Sequence, residues 1–407
     1  MKIKNREELI AKQEEYRASL NSQRKQILIC AGTGCVAGGS LEIYAKMKDI
    51  IEGKGLKCAL VLEKDPHGDS IGLKKSGCHG FCEMGPLLRI EPMGWLYIKV
   101  SLDDCEEIIE KSIIGDEVID RLVYKDQEGN PYVKQEDIPF YKQQTRIALE
   151  YCGHINAESI AEYLALGGYS AVAKALFDMT PQGIVDEITE SCLRGRGGGG
   201  FPAGRKWQQV LDQKEEEKYI VCNGDEGDPG AFMDRSMMEG EPHRVIEGML
   251  IAAIATGARH GYIYVRAEYP LAVERLQTAI DKAMDRGLLG KDILGSGFDF
   301  DLHISQGAGA FVCGEGSALT TSIEGNRGMP RVKPPRTVEH GLFDKPTVLN
   351  NVETFCNVPP ILLNGAKWYQ GYGPANNHGT KAFALTGNVQ NTCLLYTSPS
   401  PRDAHES

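Results

Sequence analysis

Four cysteines in two glycine-rich loops constrain this chain more than any other feature of its sequence. Cys30 and Cys35 are spaced C-x4-C in Ile29-Cys30-Ala31-Gly32-Thr33-Gly34-Cys35, directly after an apolar strand pattern at 26–31. Cys78 and Cys82 are spaced C-x3-C in Gly77-Cys78-His79-Gly80-Phe81-Cys82-Glu83-Met84-Gly85-Pro86. Small residues around a thiolate let backbone amides approach metal-bound sulfur and tune its potential. Four thiolates from two loops can hold a [2Fe–2S] cluster. A zinc ion would take the same donors, and four unrelated cysteines or two disulfides are the remaining readings. His79 falls between two candidate ligands and reads as a loop residue. Cys58, Cys105, Cys152, Cys192, Cys222 and Cys356 lack ligand spacing and read as core or surface thiols.

Composition narrows the setting. With 45 basic and 56 acidic residues the net charge is −11, which disfavours nucleic acid or an anionic membrane as the main partner. The most apolar stretch, 249–256, is far short of the ~20 residues a membrane span needs. Residues 1–25 are charged and carry no apolar signal core. The expectation is a cytoplasmic protein without membrane insertion, whose 12 cysteines serve as thiols and metal ligands.

The order of elements predicts an α/β protein in five parts. Residues 1–25 read as an exposed helix available to a partner. Residues 26–115 show strands at 26–31, 59–64, 87–91 and 96–100 and helices at 41–52 and 102–114, the pattern of a small thioredoxin-like domain. Residues 116–150 read as a polar connector. Residues 151–391 alternate helices (157–176, 181–193, 245–256, 271–286) with strands (219–222, 261–265), which predicts a larger α/β domain. From 392 to 407 the composition changes to a Ser/Pro-rich tail.

Four blocks in the larger domain carry ligand chemistry. Residues 194–207, Arg-Gly-Arg-Gly-Gly-Gly-Gly-Phe-Pro-Ala-Gly-Arg-Lys-Trp, contain a GxGxxG match. A Rossmann site needs a strand before it, and here a helix precedes, so that reading is rejected. Open amides with Arg196 and Lys206 still suit a nucleotide phosphate, and a flexible surface loop is the bland reading. The strand at 219–222 ends in Asn223-Gly224-Asp225-Glu226-Gly227-Asp228, acceptors suited to ribityl or ribose hydroxyls. The spacing does not fit an EF-hand calcium loop. A third block runs over 307–325 with 330–335 behind it, and a fourth, 346–354, supplies Asn350 and Asn351.

Together these blocks resemble the flavoprotein NADH-binding subunit of respiratory complex I, and more closely its relatives in NAD(P)-linked hydrogenases and formate dehydrogenases. The resemblance covers roughly residues 140–391. The cysteine pairs resemble the thioredoxin-like [2Fe–2S] ferredoxin domain and extend it to about residue 26. The resemblance implies FMN contacts at Gly195, Arg196, Gly197 and Lys206, then Asn223, Asp225 and Glu226, then Gly314 and Glu315, then Asn350, Asn351 and Thr354. It implies a dinucleotide over the flavin, with Phe201 on the adenine and Asp228 and Lys333 nearby; Phe311 and Leu349 join the cofactor-binding set. It implies Cys30, Cys35, Cys78 and Cys82 as cluster ligands. Asp228 stands where the family often has Glu, and Gly316 replaces the second of two glutamates common in complex I. The choice between NAD(H) and NADP(H) stays open.

The implied activity is hydride transfer between NAD(P)H and FMN, followed by single-electron transfer to iron–sulfur clusters. The flavin carries that chemistry, so no catalytic side chain is expected. Ser317 and Cys313 lack a paired base, and Glu226 is left a tuning role. The implied partners are the other subunits of a hydrogenase, formate dehydrogenase or complex I-like assembly. An electron-transfer scaffold without flavin chemistry is the reading from another class. The family continues with a ubiquitin-like segment and a [4Fe–4S] domain. Residues 392–407 match neither and are expected to be a non-native tail, in which Cys393 is no ligand.

Overall fold

The computed structural model describes residues 2–62, 68, 70–388 and 393–397. The first sheet contains β1 (Lys25–Cys30), β2 (Cys58–Ala59), β3 (Ile71–Ser76), β4 (Leu88–Glu91) and β5 (Trp95–Tyr97), in the order β2-β3-β1-β4-β5. Ile27, Leu28 and Ile29 are buried on both faces of β1, as expected of a central strand in a covered sheet. The Ser40–Gly53 helix covers one face with Ile43, Met47 and Ile51, spaced one helical turn apart. β1 and β3 run parallel, with Cys30 opposite Ser76. Both cysteine loops therefore leave the same end of the sheet, from the C-termini of neighbouring strands.

Three expectations for this half need correction. The sequence pattern does not announce β3, because Lys74 and Lys75 make it look polar. Lys74 is nonetheless almost wholly buried, with its ammonium 3.0 Å from Glu162 and 2.9 Å from Gln26 Oε1. The strand expected at 59–64 is only Cys58–Ala59 where described, and 63–64 lie outside the described residues. The helix expected at 102–114 is a 3-10 turn, one α turn and a π-helical run over Ile108–Ile114. Ser112 in that run meets the Tyr97 hydroxyl at 2.7 Å.

The polar connector is part of the fold. β6 (Tyr124–Lys125) and β7 (Pro131–Tyr132) form a hairpin whose turn is closed by Asp126, accepting from the amides of Glu128 and Asn130 at 2.9 Å each. Bridges from Tyr97 to Val123 and from Trp95 to Lys134 attach it to β5. Ile119, Leu122 and Val123 pack into the core of the first sheet. The N-terminal helix, Arg6–Asn21, is likewise no free surface. Asn5 caps it, and Leu9, Gln13 and Tyr16 turn inward. Gln13 Nε2 donates to Gly168 O at 2.9 Å and Arg17 Nε to Ala165 O at 3.0 Å, so the helix docks on its own chain.

The second sheet is fully parallel: β8 (Tyr219–Gly224), β9 (His260–Arg266), β10 (Asp301–Gly307) and β11 (Thr347–Asn351), ordered β10-β9-β8-β11. The Pro242–Thr256 helix behind it is buried along its whole length and ends at Gly257 in the left-handed region. The helix expected over 157–176 is two, Ile160–Ala165 and Ser170–Phe177. They are broken where Gly167 and Tyr169 take positive φ. Glu247 accepts the Tyr169 amide at 3.0 Å and the Tyr163 hydroxyl at 2.6 Å, which satisfies the break. Residues 393–397, expected to stand apart, form β13 (Cys393–Thr397), antiparallel to β12 (Lys381–Leu385). The rest of the expected tail, 392 and 398–407, lies outside the described residues.

The Lys74–Glu162 pair joins the first sheet to the Ile160–Ala165 helix with both side chains buried. Removing one partner leaves an uncompensated buried charge. Glu162→Ala is expected to cost about 3–5 kcal/mol, read as a lowered urea midpoint for the whole chain.

Candidate functional site

The glycine loop connects two helices, Pro181–Glu190 and Ala203–Leu211, with no strand before it, as the rejection of a Rossmann site required. The helices touch at Gly204, where a Cβ would lie 2.2 Å from Thr189 Oγ1 and 2.7 Å from its backbone nitrogen. The loop closes on itself through Gly195 N donating to Phe201 O at 2.9 Å. It faces the C-terminal ends of β8 and β11, where ligands bind in open parallel sheets. The cavity between them is about 810 Å³.

Of the expected cofactor-binding residues, Gly195, Arg196, Gly197, Asn223, Asp225, Glu226, Asp228, Phe311, Gly314, Glu315 and Asn351 line this cavity. Phe201, Lys206, Lys333, Leu349, Asn350 and Thr354 lie outside its wall. Phe201 is partly exposed beneath the Arg205 guanidinium. The wall also takes Asp234, Glu353, Asn377 and Phe383, which the sequence reading missed. Glu353 is the next-to-last residue of the fourth block, but nothing in its spacing marks it as a wall residue. The other three stand in no motif.

Most of the polar motif residues are committed to the loops themselves. Arg196, expected as a cofactor contact, is tied to the chain itself. Its guanidinium is buried and donates to Thr380 O (3.1 Å), His378 O (2.9 Å) and the Tyr369 hydroxyl (3.0 Å). Lys206 donates to Leu349 O at 2.5 Å and Asn350 Oδ1 at 3.1 Å, and burial pulls its pKa down to about 8. Asn223 ties the acidic loop to the third block through Gly314 O at 3.0 Å. Glu315 caps the Gly316–Ile323 helix and pairs with Lys333 at 2.6 Å. Asn351 caps the Val352–Cys356 helix, and Thr354 Oγ1 accepts the Arg196 amide at 2.9 Å. Glu226 accepts three amides, from Met233, Asp234 and Arg235, at 2.8, 3.2 and 3.1 Å.

A few polar groups are left unsatisfied. Both carboxylate oxygens of Asp225 and the Nδ2 of Asn350 are buried without a hydrogen-bond partner. The Arg266 guanidinium stands 3.8 Å from Asp225, too far for a hydrogen bond. Buried groups of this kind are costly unless a ligand or an ordered water completes them. A hydroxylated ligand in the cavity would complete Asp225, and the ribityl chain of a flavin nucleotide carries such hydroxyls. Asp234 and Glu353 share the wall, and burial raises the pKa of each, that of Glu353 to about 7.

The four cysteines converge. The Cys30 thiol faces Cys35 and Cys78, and Cys78 Sγ lies 3.8 Å from Cys82 Sγ. Gly80 N donates to Cys78 Sγ at 3.3 Å, and the facing thiols and this amide hold Cys78 well below the usual thiol range. A Cβ on Gly85 would lie 2.8 Å from Cys35 Sγ. The donor set and the tight glycine approach fit a thiolate-held cluster. His79 is engaged elsewhere, with Ser76 Oγ at 2.9 Å and Gln135 Oε1 at 3.3 Å.

The chain is a mixed α/β protein with a cavity at the C-terminal ends of strands in its parallel sheet. The chain matches, over residues 188–360, the family model described as the Nuo51 FMN-binding domain. It is 56% identical over 254 residues to the NADP-reducing hydrogenase subunit HndC of Solidesulfovibrio fructosivorans, covering 62% of this chain and 51% of that protein. It is 50% identical over 232 residues to an NADH-quinone oxidoreductase subunit of Aquifex aeolicus, covering 57% and 54%. The crystal structure of an NAD+-reducing [NiFe]-hydrogenase in the H2-reduced state superposes with a TM-score of 0.55 at 26% identity, over 95% of this chain and 61% of that one. The chain thus spans about half the length of the curated relatives it matches. No helix among the described residues is long and apolar enough to cross a membrane.

Glu353 gives a pH signature. Its folded pKa lies above its ordinary 4.5, so its contribution to stability is complete below 4.5 and is lost as pH rises through about 7. Urea midpoints of the ligand-free chain should fall from pH 5 to pH 8, and Glu353→Gln should flatten that fall.

Proposed function

We propose that this chain exchanges hydride between NAD(P)H and FMN and passes single electrons to a [2Fe–2S] cluster on Cys30, Cys35, Cys78 and Cys82. The larger assembly is a multi-subunit oxidoreductase of the NAD(P)-linked hydrogenase type, working in the cytoplasm. The observation that carries the reading is the buried Asp225 carboxylate, unsatisfied at both oxygens, in the wall of the cavity that the glycine loop faces. The likeness to the two hydrogenases supports it. A complex I-type assembly is the second reading, supported by the identity to the NADH-quinone oxidoreductase of Aquifex aeolicus.

When bound, FMN supplies the conversion of a two-electron donor to one-electron steps. The chain positions it. Gly195 and Gly197 leave room at the wall, and Asp225 accepts from the hydroxylated chain. Asn350 keeps an amide ready to donate, next to the wall residue Asn351. Phe311, two-thirds exposed, offers an apolar face for a dinucleotide ring, and the exposed Asp228 an acceptor for a ribose hydroxyl. The first sheet, with the hairpin at 124–132, serves as the thioredoxin-like ferredoxin domain. Its Cys78 and Cys82 line a second cavity, about 540 Å³, whose wall includes Glu226, Gly227 and Asp228 of the flavin cavity.

The test is reconstitution with FMN. Yellow colour bleached anaerobically by NADH or NADPH, and restored when the reductant is removed, is the expected result. Asp225→Ala should weaken FMN binding roughly tenfold, about 1.4 kcal/mol, by fluorescence titration. A chain that binds neither FMN nor dinucleotide would sink the proposal.

A further inference from the structure

The Met233–Gly240 helix joins the two sites. Its first amides hold Glu226 at the flavin cavity. Nearly two turns on, Glu239 accepts the Thr33 amide at 3.0 Å and the Thr33 hydroxyl, and Thr33 lies between Cys30 and Cys35. Arg235 sits between these two ends. Its guanidinium lies 5.4 Å from the Phe232 ring, 5.3 Å from the Tyr269 ring and 3.8 Å from Glu239. It lines the second cavity with Cys78 and Cys82. Arg266 lines the same cavity but is paired with Glu268 at 2.8 Å.

We propose that Arg235 is a positioning residue that draws an electron from the reduced flavin to the four-cysteine centre by stabilising the centre's reduced form. The inference rests on the cluster reading given under Proposed function. One-electron reduction adds one negative charge to the centre, and the reduced flavin loses that electron. Two rings restrain the cation beside the cavity, and in this part-buried setting its field is only partly screened. Glu239, 3.8 Å away and hydrogen-bonded to Thr33, opposes it and sets the background against which the cation acts.

The test is an EPR-monitored redox titration of the full chain with its cluster reconstituted, using dithionite and mediators. At the wild-type midpoint, Arg235→Gln should lower the ratio of reduced to oxidised centre roughly tenfold, a midpoint about 59 mV lower. Arg235→Lys should recover most of that loss. An unchanged or raised midpoint in Arg235→Gln, with an intact cluster signal, overturns this inference alone. A lysine variant matching the glutamine variant also overturns it, because lost packing on Phe232 and Tyr269 would then explain the shift. A wild-type chain that assembles no cluster overturns both this inference and the reading beneath it.

Discussion

Buried carboxylates that accept backbone amides hold this structure together. Glu241 takes the amides of Tyr151 and Cys152 at 2.8 and 3.0 Å. Glu162 takes that of Asn156 at 2.9 Å and pairs with Lys74. Glu247, Glu239 and Glu226 do the same for the helix break, the first cysteine loop and the start of the Met233–Gly240 helix. Each of these loops has amides with no strand or helix to bond. A buried N–H without a partner is costly, so the acid supplies the missing acceptor and fixes the loop. Two of these acids, Glu162 and Glu239, also tie the half built on the first sheet to the half built on the second.

The same principle explains the cavity. Motif residues that look like ligand contacts (Asn223, Glu315, Asn351, Thr354) are first of all caps and ties. They give the loops a fixed shape before any ligand arrives. Only a few polar groups, Asp225 and Asn350 above all, keep free hydrogen-bonding capacity. Preorganisation of this kind reduces the ordering cost of binding.

The cysteine convergence is legible in the sequence, because strand, glycine loop and spacing all point the same way. The absence of a Rossmann turn is legible too, since the helix before Arg194 is strongly amphipathic. β3 is not: its two lysines suggest a surface, and the distant Glu162, with Gln26, makes a buried Lys74 tolerable. The connector hides for a similar reason, since its apolar residues sit between charges. The intrachain partners of Arg196 are not legible either. A guanidinium beside a glycine loop suits phosphate, but Thr380 and His378, far along the chain, claim it first. Partners so remote in sequence leave no local pattern to read.

The grip of Arg196 on Thr380 and His378 also sets an order of assembly. Asn377, Lys381, Ala382 and Phe383 form part of the cavity wall, yet they follow every other wall element in the chain. During synthesis the glycine loop, the acidic loop and both cysteine pairs leave the ribosome first. Until the segment around Thr380 arrives, Arg196 lacks most of its acceptors and the cavity stands open on one side. The chain can gather its thiols early, but it can enclose a nucleotide only late.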